Sequence, residues 1–213
     1  MIPKIMHQIW VGKSPIPEVY KESVSSWKKH NPDWEYRLWD DDSLDNENFK
    51  SKRLYNKYKN KCVVKSDICR YEVVAKYGGF YADIDMIFIK PFNDLIGNRF
   101  VGTYGTNNGI DEAYNFIFGS EPNYQIVQNL VDALDDSGFD PDGDYINFFR
   151  FCSSYYYSNI VLRAKDIKRT MFGPEYFCPF PGTERNGGDY KRYISEKTYA
   201  VHLWATTWRE QFK

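Results

Sequence analysis

The chain has 213 residues, a formal net charge of −1 and an aromatic content of 18%. This length supports one substantial hydrophobic core and excludes two large domains. The nearly balanced charge gives no overall field that would favour nucleic acid as a partner. The four cysteines show no CxxC spacing, which predicts free thiols in a reducing compartment rather than a zinc site.

The ends and the apolar runs of the chain bear on its location. The N-terminus shows no charged-then-apolar leader, and no apolar run approaches the length that spans a bilayer. We therefore expect a soluble, cytoplasmic protein in which residues 1–213 form a single domain. The high aromatic content suits stacking surfaces for rings, and it suits an ordinary tyrosine-rich core equally well.

The first part of the chain alternates strand and helix patterns. Ile2 to Val11 is an apolar run that predicts a buried strand of the parallel type. After a proline-bounded loop, residues 18–30 are amphipathic and predict a helix, and residues 35–39 predict a second strand. The acidic run Asp40-Asp41-Asp42 follows, as a partner for the positive end of a helix, with a metal site as the alternative.

The stretch from Lys50 to Lys65 carries seven basic side chains and no acid, interleaved with Leu54, Tyr55 and Tyr58. One interpretation is a solvated helix face. The other is a patch that contacts anionic lipid, where each lysine would contribute on the order of 1 kcal/mol. The second interpretation would place the protein at the inner face of a membrane and would suit a lipid-linked acceptor.

Residues 63–92 hold the most informative pattern in the chain. Apolar residues recur at three-to-four spacing from Val64 to Tyr77, which predicts a helix. Gly78-Gly79 predicts the end of this helix, because glycine adopts the left-handed conformation without a Cβ clash. Phe80 to Ile89 is rich in aromatic and β-branched residues, and it predicts one strand.

Two carboxylates, Asp83 and Asp85, lie inside this predicted strand. Residues two apart on a strand point to the same side, so both acids are expected to face one spot. Burying two like charges is costly unless a cation lies between them, which predicts a divalent ion. Asp67 and Arg70 are three apart on the preceding helix and share a face; a site role is expected, with a surface ion pair as the alternative.

The remainder of the chain gives weaker signals. Phe100–Gly105 and Tyr114–Gly119 predict short strands, Tyr124–Leu134 predicts a helix, and Tyr145–Leu162 predicts two helical pieces. The other predictions are an acidic loop with six aspartates at Asp132–Asp144, an extended segment at Glu175–Pro181, a glycine-rich loop at Gly182–Asp189 that could close over substrate, and a short strand at Ala200–Leu203. Together these elements predict an α/β fold with a mostly parallel central sheet and helices on both faces.

The ordered motif of the central segment resembles the DXD-type sugar transferases of glycosyltransferase family 32 and, more distantly, the catalytic domain of the large clostridial glucosylating toxins. The matching residues are Ser66-Asp67, Arg70-Tyr71, Tyr77-Gly78-Gly79, Tyr81, Asp83 and Asp85. The resemblance extends to the first dozen residues and to the C-terminal His202-x-Trp204, whereas roughly Asp94 to Tyr190 carries little that matches. It implies a GT-A type domain with the donor bound at the carboxyl ends of the strands.

The resemblance also implies a role for each matched residue. Asp83 and Asp85 would bind Mn²⁺ or Mg²⁺ together with His202, and Asp67 and Arg70 would hold hydroxyls of the donor sugar. Trp10 would stack on the nucleotide base; a core position is the alternative for Trp10, and a core histidine bonded to backbone is the alternative for His202. The expected donor-binding residues are Gln8, Ile9, Trp10, Gly12, Tyr71, Trp204 and Trp208, with Thr206 and Thr207 as further candidates for the diphosphate.

The function implied by the resemblance is metal-dependent transfer of a hexose from a nucleotide sugar, with retention at the anomeric carbon. Uridine diphosphate is preferred over guanosine diphosphate as the carrier, and the acceptor would be a glycan or a lipid-linked oligosaccharide in surface polysaccharide assembly. Two other classes stay open: a phosphohydrolase of the aspartyl-phosphate type and a non-catalytic sugar-binding module. The helix with Asp67 and Arg70 has no role in the first, and the intact acids count against the second.

Overall fold

The computed structural model describes residues 1–107, 109–134, 145–184 and 188–205 of the chain. Strands and helices alternate at first and are mixed less regularly afterwards. The strands are β1 (Ile5–Ile9), β2 (Glu35–Trp39), β3 (Gly79–Ala82), β4 (Met86–Phe88), β5 (Phe100–Asn107), β6 (Ile110–Ser120), β7 (Thr170–Phe172) and β8 (Ala200–His202). The helices are α1 (Glu18–His30), α2 (Asp41–Asp45), α3 (Lys52–Lys57), α4 (Cys62–Tyr77), α5 (Gln125–Asp132), α6 (Tyr145–Phe151), α7 (Ser154–Arg163) and α8 (Pro174–Phe177).

Six strands form the central sheet, in the order β2-β1-β3-β6-β5-β7. The pairs β1–β2, β1–β3 and β5–β7 are parallel, whereas β3–β6 and β5–β6 are antiparallel. Of these six strands β6 alone runs against the others, so the sheet is mostly parallel, as predicted. β4 and β8 form a separate antiparallel ribbon beside the sheet.

Hydrophobic side chains cover both faces of the central sheet. Neighbouring residues of a strand point to opposite faces, and Phe80 and Tyr81 of β3 belong to different core clusters. The cluster of Tyr81 contains residues of α4, α5 and α7, among them the buried Tyr71. The cluster of Phe80 contains Trp27 of α1 and Phe177 of α8. Helices therefore pack on both faces, as the element pattern predicts.

Several local predictions are confirmed. Helix α1 and strand β2 have the predicted bounds, and the residues from 145 onward form two helices, α6 and α7. Helix α4 ends at Gly78, whose φ is +65° and where an added Cβ would lie 2.7 Å from Cδ of Pro122. Asp40 caps α2, because its carboxylate accepts the N–H of Ser43 at 2.9 Å.

Other local predictions are wrong. The predicted strand Phe80–Ile89 is two strands in two sheets, because the chain leaves the central sheet after Ala82 and β4 pairs with β8. The predicted extended segment Glu175–Pro181 begins instead with the helix α8, in which Pro174 occupies a first-turn position that needs no N–H donor. Strand β7 was not predicted. Residues 135–144 of the predicted acidic loop and residues 185–187 of the glycine-rich loop lie outside the described residues.

The basic stretch from Lys50 to Lys65 is only partly a solvated face. Lys65 is buried and pairs with Asp41, and its ammonium lies 4.6 Å from the centre of the Tyr55 ring. Lys52 donates to the carbonyl of Asp45 at 2.8 Å. These two lysines therefore bind α3 and α4 to α2, and they do not belong to a lipid-contacting patch.

Two further expectations concern cysteines and membrane segments. Cys69, Cys152 and Cys178 are buried free thiols, and Cys62 is a half-buried free thiol. Across the part of the chain that the structure describes, no helix combines the length and apolar character that crossing a bilayer requires.

Candidate active site

The turn that carries the two acids joins β3 to β4 at the carboxyl end of β3. The N–H of Asp83 donates to the carbonyl of Phe116 at 2.8 Å, and the carbonyl of Asp85 accepts the N–H of Leu203 at 3.0 Å. One backbone bond therefore ties the turn to the central sheet, and the other ties it to the segment after β8. Asp83 and Asp85 do not lie on a strand, which corrects the prediction, but they do face one spot.

Asp83, Asp85 and His202 each offer one ligand atom, and these three atoms lie within 4.8 Å of one another. Nε2 of His202 lies 3.2 Å from Oδ1 of Asp85, and the other carboxylate oxygen accepts the N–H of Ala205 at 2.8 Å. Nδ1 of His202 is buried and has no hydrogen-bond partner among the described residues. Two carboxylates with one imidazole form a donor set that fits a divalent cation such as Mn²⁺, whereas Mg²⁺ would rely on the two carboxylates.

Electrostatic interactions oppose the effect of burial on these three groups. Burial raises the pKa of Asp83, although Arg70 opposes the shift. Burial would also raise the pKa of Asp85, but His202 and the N–H of Ala205 together lower it. Burial would lower the pKa of His202, but Asp85 and Asp83 together raise it. Positive groups on two sides, Arg70 and His202, therefore compensate the paired acids.

Asp67 and Arg70 lie on α4 beside Asp83, as predicted. They form an ion pair with each other, and with 3% and 6% of their side chains exposed this pair is not on the surface. Nη1 of Arg70 lies 3.2 Å from Oδ1 of Asp83, whose side chain remains 28% exposed. Burial outweighs Arg70 and raises the pKa of Asp67 to about 6.

Tyr81 contacts the same acid, which the motif alone did not reveal. Its hydroxyl donates to Oδ1 of Asp83 at 2.6 Å, and the guanidinium of Arg70 lies 4.7 Å from the centre of its ring. One oxygen of Asp83 is thus held by two donors, which leaves the second oxygen for a ligand. The signal available in the sequence was the two-residue spacing, because Tyr81 and Asp83 point to the same side at the end of β3.

The expected donor-binding residues occupy very different environments. Gln8 is fully buried and its Nε2 donates to the carbonyl of Asp83 at 3.0 Å. Ile9 belongs to the hydrophobic core, and so does Tyr71, whose hydroxyl donates to the carbonyl of Cys152 at 2.7 Å. Gln8 therefore contacts the backbone of the turn from within the fold, whereas Ile9 and Tyr71 lie in the hydrophobic core.

Trp10 and Gly12 lie at the carboxyl end of β1, on the same edge of the sheet as the turn. The indole N–H of the half-buried Trp10 donates to the carbonyl of Ser14 at 2.8 Å, and its ring lies 6.0 Å from that of Tyr20. The N–H of Gly12 donates to the carboxylate of Asp41 at 2.7 Å, and its φ of +97° favours glycine. Asp41 therefore fixes the loop after β1.

Trp204 lies next to the group formed by Asp83, Asp85 and His202. Its ring centre is 4.4 Å from that of His202, and its indole N–H donates to the carbonyl of Phe180 at 2.7 Å. Its φ of +57° is uncommon for a residue with a side chain. Trp208 lies outside the described residues, together with Thr206 and Thr207.

Comparison with known proteins shows which family the chain belongs to. A family model described as the glycosyltransferase sugar-binding region containing the DXD motif matches residues 17–101. A glycosyltransferase of Acanthamoeba polyphaga mimivirus is 35% identical over 220 residues, which cover 95% of this chain and 86% of that relative. The chain belongs to the DXD-motif glycosyltransferases. The matched region of this glycosyltransferase includes Asp67, Arg70, Asp83 and Asp85, and it excludes β1 and His202.

A second relative and two solved structures extend the comparison. Inositol phosphoceramide mannosyltransferase 1 of Schizosaccharomyces pombe is 33% identical over 102 residues, so the alignment spans 45% of this chain and about a third (31%) of that relative. The PaToxG glycosyltransferase superposes with a TM-score of 0.60 at 20% identity, over 78% of this chain and 70% of that chain. The catalytic domain of Clostridium novyi alpha-toxin gives 0.53 at 13% identity, over 76% and 63%. The fold is that of the GT-A glycosyltransferases, as the resemblance implied.

Proposed function

We propose that this glycosyltransferase is metal dependent and transfers a hexose from a nucleotide sugar bound beside Asp83, Asp85 and His202. The observation that carries the proposal is the convergence of three ligand atoms within 4.8 Å at the carboxyl end of β3, the edge where α/β sheets bind ligands. A bound Mn²⁺ or Mg²⁺ would supply positive charge to the diphosphate leaving group. Residues 1–213 would act as one catalytic domain.

Asp67 and Arg70 would bind hydroxyls of the donor sugar. Oδ2 of Asp67 and Nε of Arg70 are buried without a hydrogen-bond partner among the described residues. Buried polar atoms in native proteins are almost always hydrogen-bonded, and sugar hydroxyls both donate and accept, so they would complete both atoms once donor binding makes these atoms accessible. Arg70 has a second role in this arrangement, because it also holds Asp83.

The donor nucleotide would lie along the edge formed by the ends of β1 and β3. Trp10, half-buried at the end of β1, would stack on the base, and the loop at Gly12 would approach the ribose. Trp204 and Trp208 would contact the diphosphate from the C-terminal segment. Gln8, Ile9 and Tyr71 stay in this donor-binding proposal as residues that shape the pocket from within the core rather than as exposed contacts.

The donor is proposed as a uridine diphosphate sugar, with retention of configuration, from the family resemblance. Several relatives are named as mannosyltransferases, which adds mannose as a proposed sugar, and guanosine diphosphate stays the second choice of carrier. A thermal-shift panel of UDP-glucose, UDP-galactose, UDP-N-acetylglucosamine and GDP-mannose, each with and without Mn²⁺, tests both. Ligand at a hundred times its Kd stabilises the fold by about 2.7 kcal/mol, which such a panel detects. No shift with any nucleotide sugar in the presence of Mn²⁺ would contradict the proposal.

Turnover assays separate the two other classes. Transfer or slow donor hydrolysis that requires Mn²⁺ supports a glycosyltransferase of this kind, and anomeric analysis of the product by NMR tests retention. Donor binding without transfer or hydrolysis would instead indicate a sugar-binding module. Metal-dependent release of phosphate from p-nitrophenyl phosphate would indicate the phosphohydrolase.

The acceptor is proposed to be a glycan or a lipid-linked oligosaccharide in polysaccharide assembly, at the cytoplasmic face of a membrane. Relatives named as inositol phosphoceramide mannosyltransferases act on a lipid by their names. Exposed basic side chains in the stretch from Lys50 to Lys65, such as Lys59, would contact anionic lipid. Flotation with phosphatidylserine vesicles at low and high salt tests this contact, and the absence of salt-sensitive binding would exclude it.

A further inference from the structure

The side chain of Gln8 lies directly beneath the turn that carries the two acids. Gln8 is fully buried on β1. Its Nε2 donates to the carbonyl of Asp83 at 3.0 Å and to Oγ of Ser23 at 3.1 Å, and its Oε1 accepts the hydroxyl of Tyr36 at 2.8 Å. Both amide hydrogens are thus used, and the carbonyl of Asp83, which can only accept, fixes which side of the amide is the nitrogen. The amide has one orientation in this environment.

These three bonds join three separate elements. Tyr36 lies on β2, Ser23 lies on α1, and Asp83 begins the turn between β3 and β4. The backbone of the turn has few other ties, because it belongs to neither sheet: Asp83 donates to Phe116, and Asp85 accepts from Leu203. Gln8 therefore supplies the side-chain contact that holds the backbone of the turn from the side of α1.

Helix α1 also holds the far end of the same segment. Ser26 is three residues after Ser23 and so lies on the same helix face. Its hydroxyl accepts the N–H of Phe88 at 3.1 Å and donates to the carbonyl of Ser23 at 2.8 Å. The segment from Asp83 to Phe88 is thus fixed to α1 at both ends, once through Gln8 and once directly.

We propose that Gln8 is a positioning residue, which sets the location of Asp83 so that its carboxylate converges with Asp85 and His202. Gln8 contacts the turn backbone and does not touch the ligand atoms, so its role differs from the donor contact that the resemblance implied. This inference rests on the proposed metal dependence. Residues that support metal ligands from behind typically change metal affinity or activity by about 10- to 100-fold when they are replaced.

The test compares Gln8→Met with Tyr124→Phe. Methionine keeps the length of the side chain but removes all three hydrogen bonds. Tyr124→Phe removes one part-buried bond, from the hydroxyl to the carbonyl of Lys168 at 2.6 Å. Tyr124 follows β6 beyond Ser120, which pairs with Gly79 at the opposite end of β3 from the turn. The control therefore loses a part-buried hydrogen bond without touching the site.

Two readouts are measured on each variant. Titration calorimetry with Mn²⁺ alone gives the metal Kd, and hydrogen–deuterium exchange without metal reports on the peptide that covers residues 83–88. We expect Gln8→Met to raise the Mn²⁺ Kd by roughly tenfold or more and to accelerate exchange in this peptide, with neither change in Tyr124→Phe. Unchanged Mn²⁺ affinity in folded Gln8→Met overturns the proposal, even if exchange becomes faster.

The experiment also separates the failure of this inference from the failure of the proposed function. If the wild-type protein does not bind Mn²⁺, the proposed metal site is contradicted. Hydrogen–deuterium exchange alone then tests the positioning role of Gln8. Faster exchange at residues 83–88 in Gln8→Met would support this role, and unchanged exchange would overturn it. Should Gln8→Met fail to fold, Tyr36→Phe removes only one of the three hydrogen bonds of the Gln8 amide. It should then change the same readouts in the same direction by a smaller factor, and no change would overturn the proposal.

Discussion

Two regions of this glycosyltransferase share the segment of residues 80–92 but are held together by different interactions. One is the acid cluster of Asp83, Asp85 and His202, where buried charges are held by ion pairs and hydrogen bonds. The other is an aromatic cluster in which the rings of Trp27, Phe88 and Phe92 meet with centres 4.9–5.7 Å apart. The aromatic cluster stabilises the fold by burying apolar surface. In the acid cluster, desolvation opposes folding and ion pairing works against that cost, and we propose that the cluster is present for its chemistry.

The first prediction breaks the acid cluster without touching the aromatic one. Asp85→Asn keeps the shape of the side chain but removes the charge that pairs with His202 and would bind the cation. We expect metal-dependent turnover to fall by roughly 1000-fold, about 4 kcal/mol of transition-state stabilisation, while the circular dichroism spectrum stays native. A steady-state assay with Mn²⁺ and the identified donor measures the loss. Full activity in this variant would count against the site.

The second prediction breaks the aromatic cluster and leaves the acids in place. Phe92 is fully buried against Trp27 and Phe80. Phe92→Ala should lower the free energy of unfolding by about 3–5 kcal/mol, because it removes apolar contacts and leaves a cavity. Urea titration measures the loss, and Phe92→Leu, which keeps most of the volume, should lose clearly less. Equal losses in the two variants would show that packing at Phe92 is not the cause.

The contrast between the two regions also explains what the sequence could reveal. The apolar periodicities of α1 and α4 and the glycine stop at Gly78 are local patterns, and the structure confirms them. The acids were predicted to face one spot, which is correct, on one strand, which is wrong. The error arises because β4 pairs with Ala200–His202, more than a hundred residues away, and no local pattern encodes that pairing.

Residue roles at the site divide in the same way. The pair of Asp67 and Arg70 followed from helical spacing, which is local. The bonds of Gln8 to three elements and of Ala205 to Asp85 depend on how distant segments meet, so spacing along the chain could not show them. The family resemblance supplied His202, because a lone histidine on a short apolar strand has no ligand pattern of its own.

The third prediction compares two buried histidines. His7 is buried like His202, but among the described residues no carboxylate is hydrogen-bonded to it: its Nε2–H donates to the carbonyl of Gly78 at 2.8 Å and its Nδ1 accepts the indole N–H of Trp39 at 3.0 Å. Burial lowers the pKa of His7 from 6.5 to about 4. Since the folded state disfavours the proton, the stability that neutral His7 provides is complete above pH 6.5 and is lost as the pH falls towards 4.

The loss attributable to His7 should reach about 3 kcal/mol of unfolding free energy, from roughly 1.4 kcal/mol per pKa unit. Urea titrations of wild type and His7→Gln at several pH values between 7 and 4 isolate this contribution, because the glutamine does not titrate. The stability difference between the two proteins should narrow or reverse on acidification. A difference that stays constant with pH would show that His7 takes up a proton equally in both states.

The last prediction removes a single hydroxyl from the acid cluster. Tyr81→Phe loses the bond to Oδ1 of Asp83, but the ring remains under the guanidinium of Arg70, which still holds the same oxygen. Because one of two donors is lost, we expect turnover to fall by roughly tenfold, about 1.4 kcal/mol. The Mn²⁺ Kd should rise with it, while the melting temperature changes little.

Tyr157→Phe is the matched control for Tyr81→Phe. The hydroxyl of Tyr157 is equally buried but has no hydrogen-bond partner among the described residues, and its ring packs against Tyr71 and Phe118. Its removal should leave turnover and Mn²⁺ affinity unchanged and should not lower stability, since an unsatisfied buried polar group is unfavourable. If the two variants behave alike, the hydroxyl of Tyr81 does not orient the carboxylate of Asp83, and this orientation then depends on Arg70.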